Sequence, residues 1–203
     1  MVDIHKVYLW IDRYPDFAFY MIAAVNIIIQ LFLGVGLHFV VSVLALMFCN
    51  FLIVLATNLL MKNLLRASRP PAYYRVHGDG SRIFRGSFPS LHAQFAFAMA
   101  TTFVVALYIY EGCRLLTPRM MVAIPIVYSM AFIVAMSRYL IVVHHLQDVL
   151  GGIIFGVVFS LPLTLYIYGA FDELPLVLQA FFGLFFLLLV FLLSHYERRH
   201  VSA

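Results

Sequence analysis

The stretch from residue 89 to residue 110, PSLHAQFAFAMATTFVVALYIY, contains no aspartate, glutamate, lysine or arginine. It is long enough to cross the hydrocarbon core of a bilayer as a helix, which takes about 20 residues. Proline is favoured in the first turn of a helix, so Pro89 marks the start of this one. The sequence therefore predicts a membrane-spanning helix that begins with the tetrapeptide Pro89-Ser90-Leu91-His92.

The rest of the chain is similarly apolar. Of its 203 residues, 65% are hydrophobic and only 11% are charged. A water-soluble domain of this size could not cover its surface with so few polar side chains. Apolar runs bounded by charged residues, glycine or proline predict six spans, at 17–37, 38–62, 89–110, 119–137, 148–169 and 175–194. We therefore predict an all-α fold, an integral membrane bundle of about six transmembrane helices that forms a single domain over residues 1–203.

The basic residues lie mainly between the apolar runs. The net charge of +4 would suit nucleic acid, but this placement favours lipid phosphate, and no nucleic acid partner is expected. With six spans, only Arg114 and Arg119 of the 13 lysines and arginines lie on one side of the membrane. The positive-inside rule then makes the other, basic side cytoplasmic. We expect a multi-pass protein of the cell membrane or an equivalent membrane.

Three clusters of polar residues fall on the basic side. The first lies at the end of the second span, where Lys62, Arg66 and Arg69 have the spacing i, i+4 and i+7. If the helix continues past Lys62, these cations lie on one face and can converge on one anion. Alternatively, they are interfacial cations whose stems lie along the bilayer while their charges reach water.

The second cluster is the tetrapeptide at the start of the third span. The free N–H groups and the positive dipole end of a helix N-terminus form an anion site. Ser90 adds a hydroxyl donor, and His92 adds a source of protons. Many ordinary helices also open with proline and serine, so this cluster alone does not distinguish a binding site from a helix start.

The third cluster is Ser137-Arg138 followed by His144 and Asp148, at the start of the fifth span. Residues four apart on a helix are neighbours, so the Asp148 carboxylate can accept the ring N–H of His144. That bond fixes the tautomer and leaves the lone pair of the other ring nitrogen free to attack. His145 lies three residues before Asp148 and is the alternative partner. Ionisable pairs are costly in a membrane, which favours a functional role over packing.

Together the three clusters resemble the type 2 phosphatidic acid phosphatase family. Its pattern is Lys, six residues and Arg-Pro; then Pro-Ser-Gly-His; then Ser-Arg, five residues, His, three residues and Asp. The matching residues here are Lys62, Arg69, Pro70, Pro89, Ser90, His92, Ser137, Arg138, His144 and Asp148. The resemblance covers residues 62–152, and its spacing selects His144 over His145. The vanadium haloperoxidases are similar in these residues, but they are soluble enzymes.

The resemblance implies a lipid phosphatase that works through a phosphohistidine intermediate without a metal or another cofactor. In that case His144 is the nucleophile, Asp148 holds and polarises it, and His92 protonates the leaving oxygen and then activates water. The implied phosphate-binding residues are Lys62, Arg69, Ser90, Leu91 (through backbone N–H groups) and Arg138. The implied substrate is phosphatidic acid, phosphatidylglycerol phosphate or a polyprenyl phosphate or diphosphate. The resemblance also implies an extracytoplasmic active site, opposite to the side that the charge count favours.

One position departs from the family pattern. Leu91 stands where the family usually has glycine. The Pro-Ser-Leu-His form resembles that of the inositol phosphorylceramide synthases. A lipid phosphotransferase that passes the phosphoryl headgroup to an alcohol is therefore an alternative, and a non-catalytic membrane lipid binder is a third.

The hydrophilic insert at 63–88 is a further candidate part of the substrate site. It contains Arg66, Tyr73 and Arg75, which can cap the phosphate pocket or simply anchor an interfacial loop. The sequence does not select one lipid substrate, and it leaves the oligomeric state open.

Overall fold

The computed structural model describes residues 34–71, 86–172 and 175–188, apart from 183, 186 and 187. It contains four long helices: α1 (Leu37–Leu65), α2 (Leu91–Tyr110), α3 (Pro118–Leu140) and α4 (Leu146–Asp172). Residues 176–182, 184, 185 and 188 are helical as well. No strand occurs within these described ranges, so the all-α prediction is confirmed for them.

Each of these four helices has the length and the apolar composition needed to cross a membrane. They correspond to the second, third, fourth and fifth predicted spans, and each end agrees within one helical turn. Large apolar side chains such as Leu60, Phe132 and Val158 are exposed on their outer surfaces, which is consistent with contact with lipid. The predicted span 17–37 lies almost entirely outside the described residues, and the span 175–194 is described only in part. These two spans remain predictions.

The ends of the helices follow from the local sequence. α3 begins at Pro118, and the Thr117 side chain accepts a hydrogen bond from the backbone N–H of Met120 at 3.3 Å, as a typical N-cap does. α1 ends where Arg66 adopts a left-handed conformation with φ of 44°. The backbone N–H of Arg66 donates to the Lys62 carbonyl at 3.1 Å. This turn stops α1 before Arg69.

α2 is the central helix of the described bundle and packs against α1, α3 and α4. Two glycines of α4 make a close approach to it. A Cβ atom at Gly152 would lie 2.6 Å from the Ser90 carbonyl oxygen, and one at Gly156 would lie 2.5 Å from the Gln94 carbonyl oxygen. Small residues four apart allow the backbones of two membrane helices to meet. The start of α2 is thereby held against the start of α4.

Replacing Gly156 by alanine is expected to destabilise the fold, because the added methyl group overlaps the α2 backbone. Overpacking of this kind typically costs about 1–3 kcal/mol. A Cβ atom added at Gly169, also on α4, would meet open space. Gly169→Ala is therefore the matched control and should be neutral or slightly stabilising. Thermal unfolding midpoints in detergent compare the two variants. An equal midpoint for both would contradict the close contact between α2 and α4.

Candidate active site

The ends of α1 and α3 and the starts of α2 and α4 lie together at one end of the bundle. The Ser90 backbone N–H donates to the Asp148 carbonyl at 2.9 Å, and the His144 backbone N–H donates to the Arg138 carbonyl at 3.2 Å. The Lys62 ammonium group donates to the Gly86 carbonyl at 2.9 Å. The buried polar residues at this end include Lys62, Ser87, Ser90, Ser137, Arg138, His144 and Asp148. Members of all three sequence clusters therefore lie side by side.

Asn58 holds the start of α2 against α1. Its side-chain Nδ2 donates to the Pro89 carbonyl at 3.1 Å and to the Gln94 side-chain oxygen at 2.8 Å. Gln94 in turn donates to the Thr57 hydroxyl at 2.9 Å. The Asn58 and Gln94 side chains are fully buried, and hydrogen bonds between buried side chains restrict their arrangement. The Asn58 Oδ1 atom has no hydrogen-bond partner among the described residues. The start of α2 is thus fixed from two sides, by α1 and by α4.

Ser90 is the N-cap residue of α2, but its side chain caps no backbone N–H of the helix. The Ser90 hydroxyl is buried and has no hydrogen-bond partner among the described residues. Buried hydroxyl groups are usually hydrogen-bonded, so one without a protein partner is suited to a ligand or a water molecule. Leu91, the first residue of α2, is half-buried and packs against the apolar core.

The Asp148 carboxylate is held by two donors. Its Oδ2 atom accepts hydrogen bonds from the Ser87 hydroxyl at 2.5 Å and from the His145 backbone N–H at 2.8 Å. The His144 Nδ1 atom lies 3.6 Å from the same oxygen and 3.3 Å from Ser87 Oγ. The imidazole that faces Asp148 is therefore that of His144, while His145 interacts with Asp148 through its backbone.

The expectation that His144 and Asp148 lie one turn apart on the same helix is wrong, although the two side chains do face each other. α4 begins at Leu146, so His144 lies in the preceding loop and not one helical turn before Asp148. A distance of 3.6 Å is too long for a normal hydrogen bond. The two side chains still form a close polar pair, with the Ser87 hydroxyl beside both.

His144 is neutral at pH 7 in this environment. Burial lowers its pKa from the usual 6.5 to about 4, the contact with Asp148 acts in the opposite direction, and the positive charges of Arg69 and Lys62 add to the lowering. Burial disfavours the charged form of a histidine because the imidazolium loses its hydration. A neutral imidazole keeps a lone pair, which a nucleophile requires.

The His144 titration leads to a testable expectation. Since the folded pKa of about 4 lies below the ordinary 6.5, the unfolded chain takes up this proton first as the pH falls. The contribution of His144 to stability is therefore complete above about pH 6.5 and is lost progressively down to about pH 4. In protein labelled with ¹⁵N-histidine, the His144 resonance is identified as the one that the His144→Asn variant lacks. An NMR titration of this resonance should show a midpoint near pH 4. A midpoint near 6.5 would contradict the buried placement.

His92 lies in the first turn of α2, within electrostatic range of His144 and of three cations: Lys62, Arg69 and Arg138. Arg69 follows the end of α1 and is half-buried. Two histidines and three cations thus lie within electrostatic range of one another, and a phosphate dianion requires several fixed positive charges.

Arg66 does not join these cations. Sequence spacing suggested that Lys62, Arg66 and Arg69 lie on one helical face, but the left-handed turn at Arg66 ends α1 first. The Arg66 side chain is exposed, and its Nε donates to the Asn63 carbonyl at 3.4 Å. Arg69 instead reaches the site from the segment after α1. The other two candidate residues of the insert, Tyr73 and Arg75, lie outside the described residues.

Sequence reasoning missed Ser87. It lies at the end of the insert, two residues before Pro89, and its side chain is fully buried. Its backbone N–H donates to the Ala67 carbonyl at 2.8 Å, so the segment before α2 pairs with the segment after α1. The signal in the sequence is slight: a small polar residue between a glycine and a phenylalanine.

Comparison with known proteins adds an independent observation. The model of one family, described as the PAP2 superfamily, matches residues 36–172. This range is more than half of the chain and includes α1 to α4 with all three clusters. No curated protein and no solved structure matches the chain.

Proposed function

Because this chain belongs to the PAP2 superfamily, and its activity is therefore of the phosphatase type on phosphate esters, we propose that it hydrolyses a lipid phosphate at the membrane surface. The substrate class is a phosphate monoester or diphosphate of a lipid: phosphatidic acid, phosphatidylglycerol phosphate or a polyprenyl phosphate or diphosphate. Four apolar helices support a lipid substrate, because the acyl or prenyl chains would remain in the bilayer while the headgroup enters the site.

The observation that carries this proposal is the neutral His144 imidazole beside a held carboxylate and within range of the charges of Lys62 and Arg69. A neutral nitrogen nucleophile beside several cations suits attack on a phosphorus atom, whose oxygens carry the negative charge. A purely structural histidine would not need so many cations around it.

In the first step, His144 Nε2 attacks the phosphorus atom, and the bond between phosphorus and the leaving oxygen breaks. His92 gives a proton to that oxygen, so the lipid leaves as an alcohol, or as a lipid monophosphate if the substrate is a diphosphate. Lys62, Arg69 and Arg138 neutralise the phosphoryl oxygens, and the Ser90 hydroxyl and the N–H groups at the start of α2 donate hydrogen bonds to them. The product on the enzyme is a phosphohistidine at residue 144.

In the second step, water attacks the same phosphorus atom. His92, now without its proton, accepts one from the water molecule, and the bond between phosphorus and nitrogen breaks. Inorganic phosphate is released, and His144 returns to its neutral form. Each step uses only groups of the protein and water.

Phosphate release by the purified protein tests the proposal. We expect release in detergent in the presence of excess EDTA from at least one of phosphatidic acid, phosphatidylglycerol phosphate and polyprenyl diphosphate. Addition of magnesium should leave the rate of phosphate release unchanged, because the steps above use no metal. No release from any of these lipids would contradict the proposal and favour a phosphotransferase that needs an alcohol acceptor or a non-catalytic lipid binder.

Leu91 supports a second candidate, a phosphotransferase. A half-buried leucine stands in the first turn of α2 beside Ser90 and His92, and an isobutyl group leaves less room beside the phosphate site than a glycine would. A lipid alcohol could then replace water in the second step. Product analysis decides: free phosphate without any added alcohol supports the phosphatase, whereas a phosphorylated alcohol formed only with an acceptor supports the phosphotransferase.

A further inference from the structure

We propose that Ser87 is a positioning residue that orients the His144 imidazole by linking it to Asp148. This inference rests on the proposed function, in which His144 attacks through Nε2. It assigns a role to a residue that lies outside the three sequence clusters.

The distances favour a bridge over a direct contact. His144 Nδ1 and Asp148 Oδ2 are 3.6 Å apart, which exceeds normal hydrogen-bond length. Ser87 Oγ lies 2.5 Å from Asp148 Oδ2 and 3.3 Å from His144 Nδ1. The serine hydroxyl therefore gives the carboxylate a hydrogen-bonded link to the ring, beside the direct electrostatic contact at 3.6 Å.

The direction of the hydrogen bonds fixes the tautomer. An ionised carboxylate only accepts, and a serine hydroxyl has a single proton, so Ser87 donates that proton to Asp148. The oxygen then presents a lone pair to His144, and Nδ1 has to carry the ring proton in order to donate to it. In neutral imidazole the other nitrogen, Nε2, is then the one with the free lone pair.

Ser87 is itself held in place. Its side chain is fully buried, and its backbone N–H donates to the Ala67 carbonyl at 2.8 Å. The adjacent Gly86 packs against Lys62, since a Cβ atom there would lie 3.0 Å from the Lys62 carbonyl oxygen. The Gly86 carbonyl accepts from the Lys62 ammonium group. One short segment thus fixes both the serine that orients the nucleophile and one of the cations.

Removal of the hydroxyl gives a defined kinetic result. In Ser87→Ala, kcat should fall by about 10- to 100-fold, the size of loss seen when groups that orient metal-binding histidines are removed. KM should change little, because Ser87 is not among the proposed phosphate ligands. Ser87→Thr keeps the hydroxyl and should recover much of kcat. Ser160→Ala is the control, since that equally buried hydroxyl bonds only to backbone carbonyls of its own helix.

The tautomer provides a readout that does not depend on turnover. In ¹⁵N-histidine-labelled protein, the His144 ring resonances are assigned by their absence from the His144→Asn variant. At pH 7 they should show a protonated Nδ1 and an unprotonated Nε2. Ser87→Ala should shift these resonances towards a mixture of the two tautomers, while Ser160→Ala should leave them unchanged.

These measurements separate the two proposals. If the protein releases no phosphate from any lipid, the proposed function fails, while the tautomer still tests the role of Ser87. A wild-type His144 protonated at Nε2 would overturn that role, even if Ser87→Ala does not fold. Unchanged tautomer and unchanged kcat in folded Ser87→Ala would overturn it as well.

Discussion

His144→Asn should reduce phosphate release to the background rate, a loss of about 10⁴-fold or more. Asparagine is similar in size to part of the imidazole but has no nitrogen lone pair that can attack phosphorus. The remaining residues can still bind the phosphate, so the variant should retain its affinity for a lipid phosphate. Initial rates and equilibrium binding in the same detergent distinguish lost chemistry from lost binding.

The adjacent histidine is the control for this experiment. His145→Asn keeps the backbone N–H that donates a hydrogen bond to Asp148 and changes only the half-buried side chain. It should retain most of the activity. Equal losses in the two variants would contradict the assignment of the nucleophile to His144.

His92→Ala should lower turnover of a lipid substrate by about 10²–10⁴-fold, the usual contribution of a positioned acid–base group. The loss should be smaller for an aryl phosphate, since its leaving group is acidic enough to depart without a proton. Rates for a lipid phosphate and for p-nitrophenyl phosphate, measured on the wild type and on the variant, give this comparison.

His38 supplies the control for His92. It lies in the first turn of α1, at the opposite end of the bundle, so His38→Ala should reduce both rates equally or not at all. A His92→Ala variant that loses the same factor on both substrates would argue against a role in protonating the leaving group.

Most of the fold follows from the order of apolar and polar residues along the chain. A run of about 20 apolar residues has few alternatives to a membrane helix, because unpaired backbone groups are too costly in the bilayer. Predicted and observed ends of α1 to α4 agree within a turn for this reason. The exceptions depend on single residues, such as the left-handed Arg66, whose conformation no hydrophobic pattern reveals.

The geometry of the site was less accessible to sequence reasoning. Spacing placed His144 and Asp148 on one helix, whereas the helix begins two residues after His144. Ser87 enters between them through a backbone pairing of the segments before α2 and after α1. Such a pairing joins residues that are distant in the chain and leaves no periodic pattern. Motif spacing therefore indicates which residues belong together but not which atoms touch.

Glycine provides the opposite example, in which structure explains a sequence feature. Gly152 and Gly156 look like ordinary interruptions of an apolar run, yet each faces a backbone carbonyl of α2 or of its N-cap. Their spacing of four is typical of close membrane helix pairs. In this chain the close contact also aligns Asp148 with Ser90, so packing and site geometry are linked.

Locating the phosphoryl group on the enzyme tests most directly whether His144 is the nucleophile. His92→Ala, incubated briefly with an aryl phosphate and denatured in alkali, should carry phosphate on the peptide that contains His144, because formation of the intermediate is less impaired than its hydrolysis. Mass spectrometry identifies the modified residue. Phosphate on another residue, or a phosphorylated enzyme that persists when His144 is also replaced, would contradict the account.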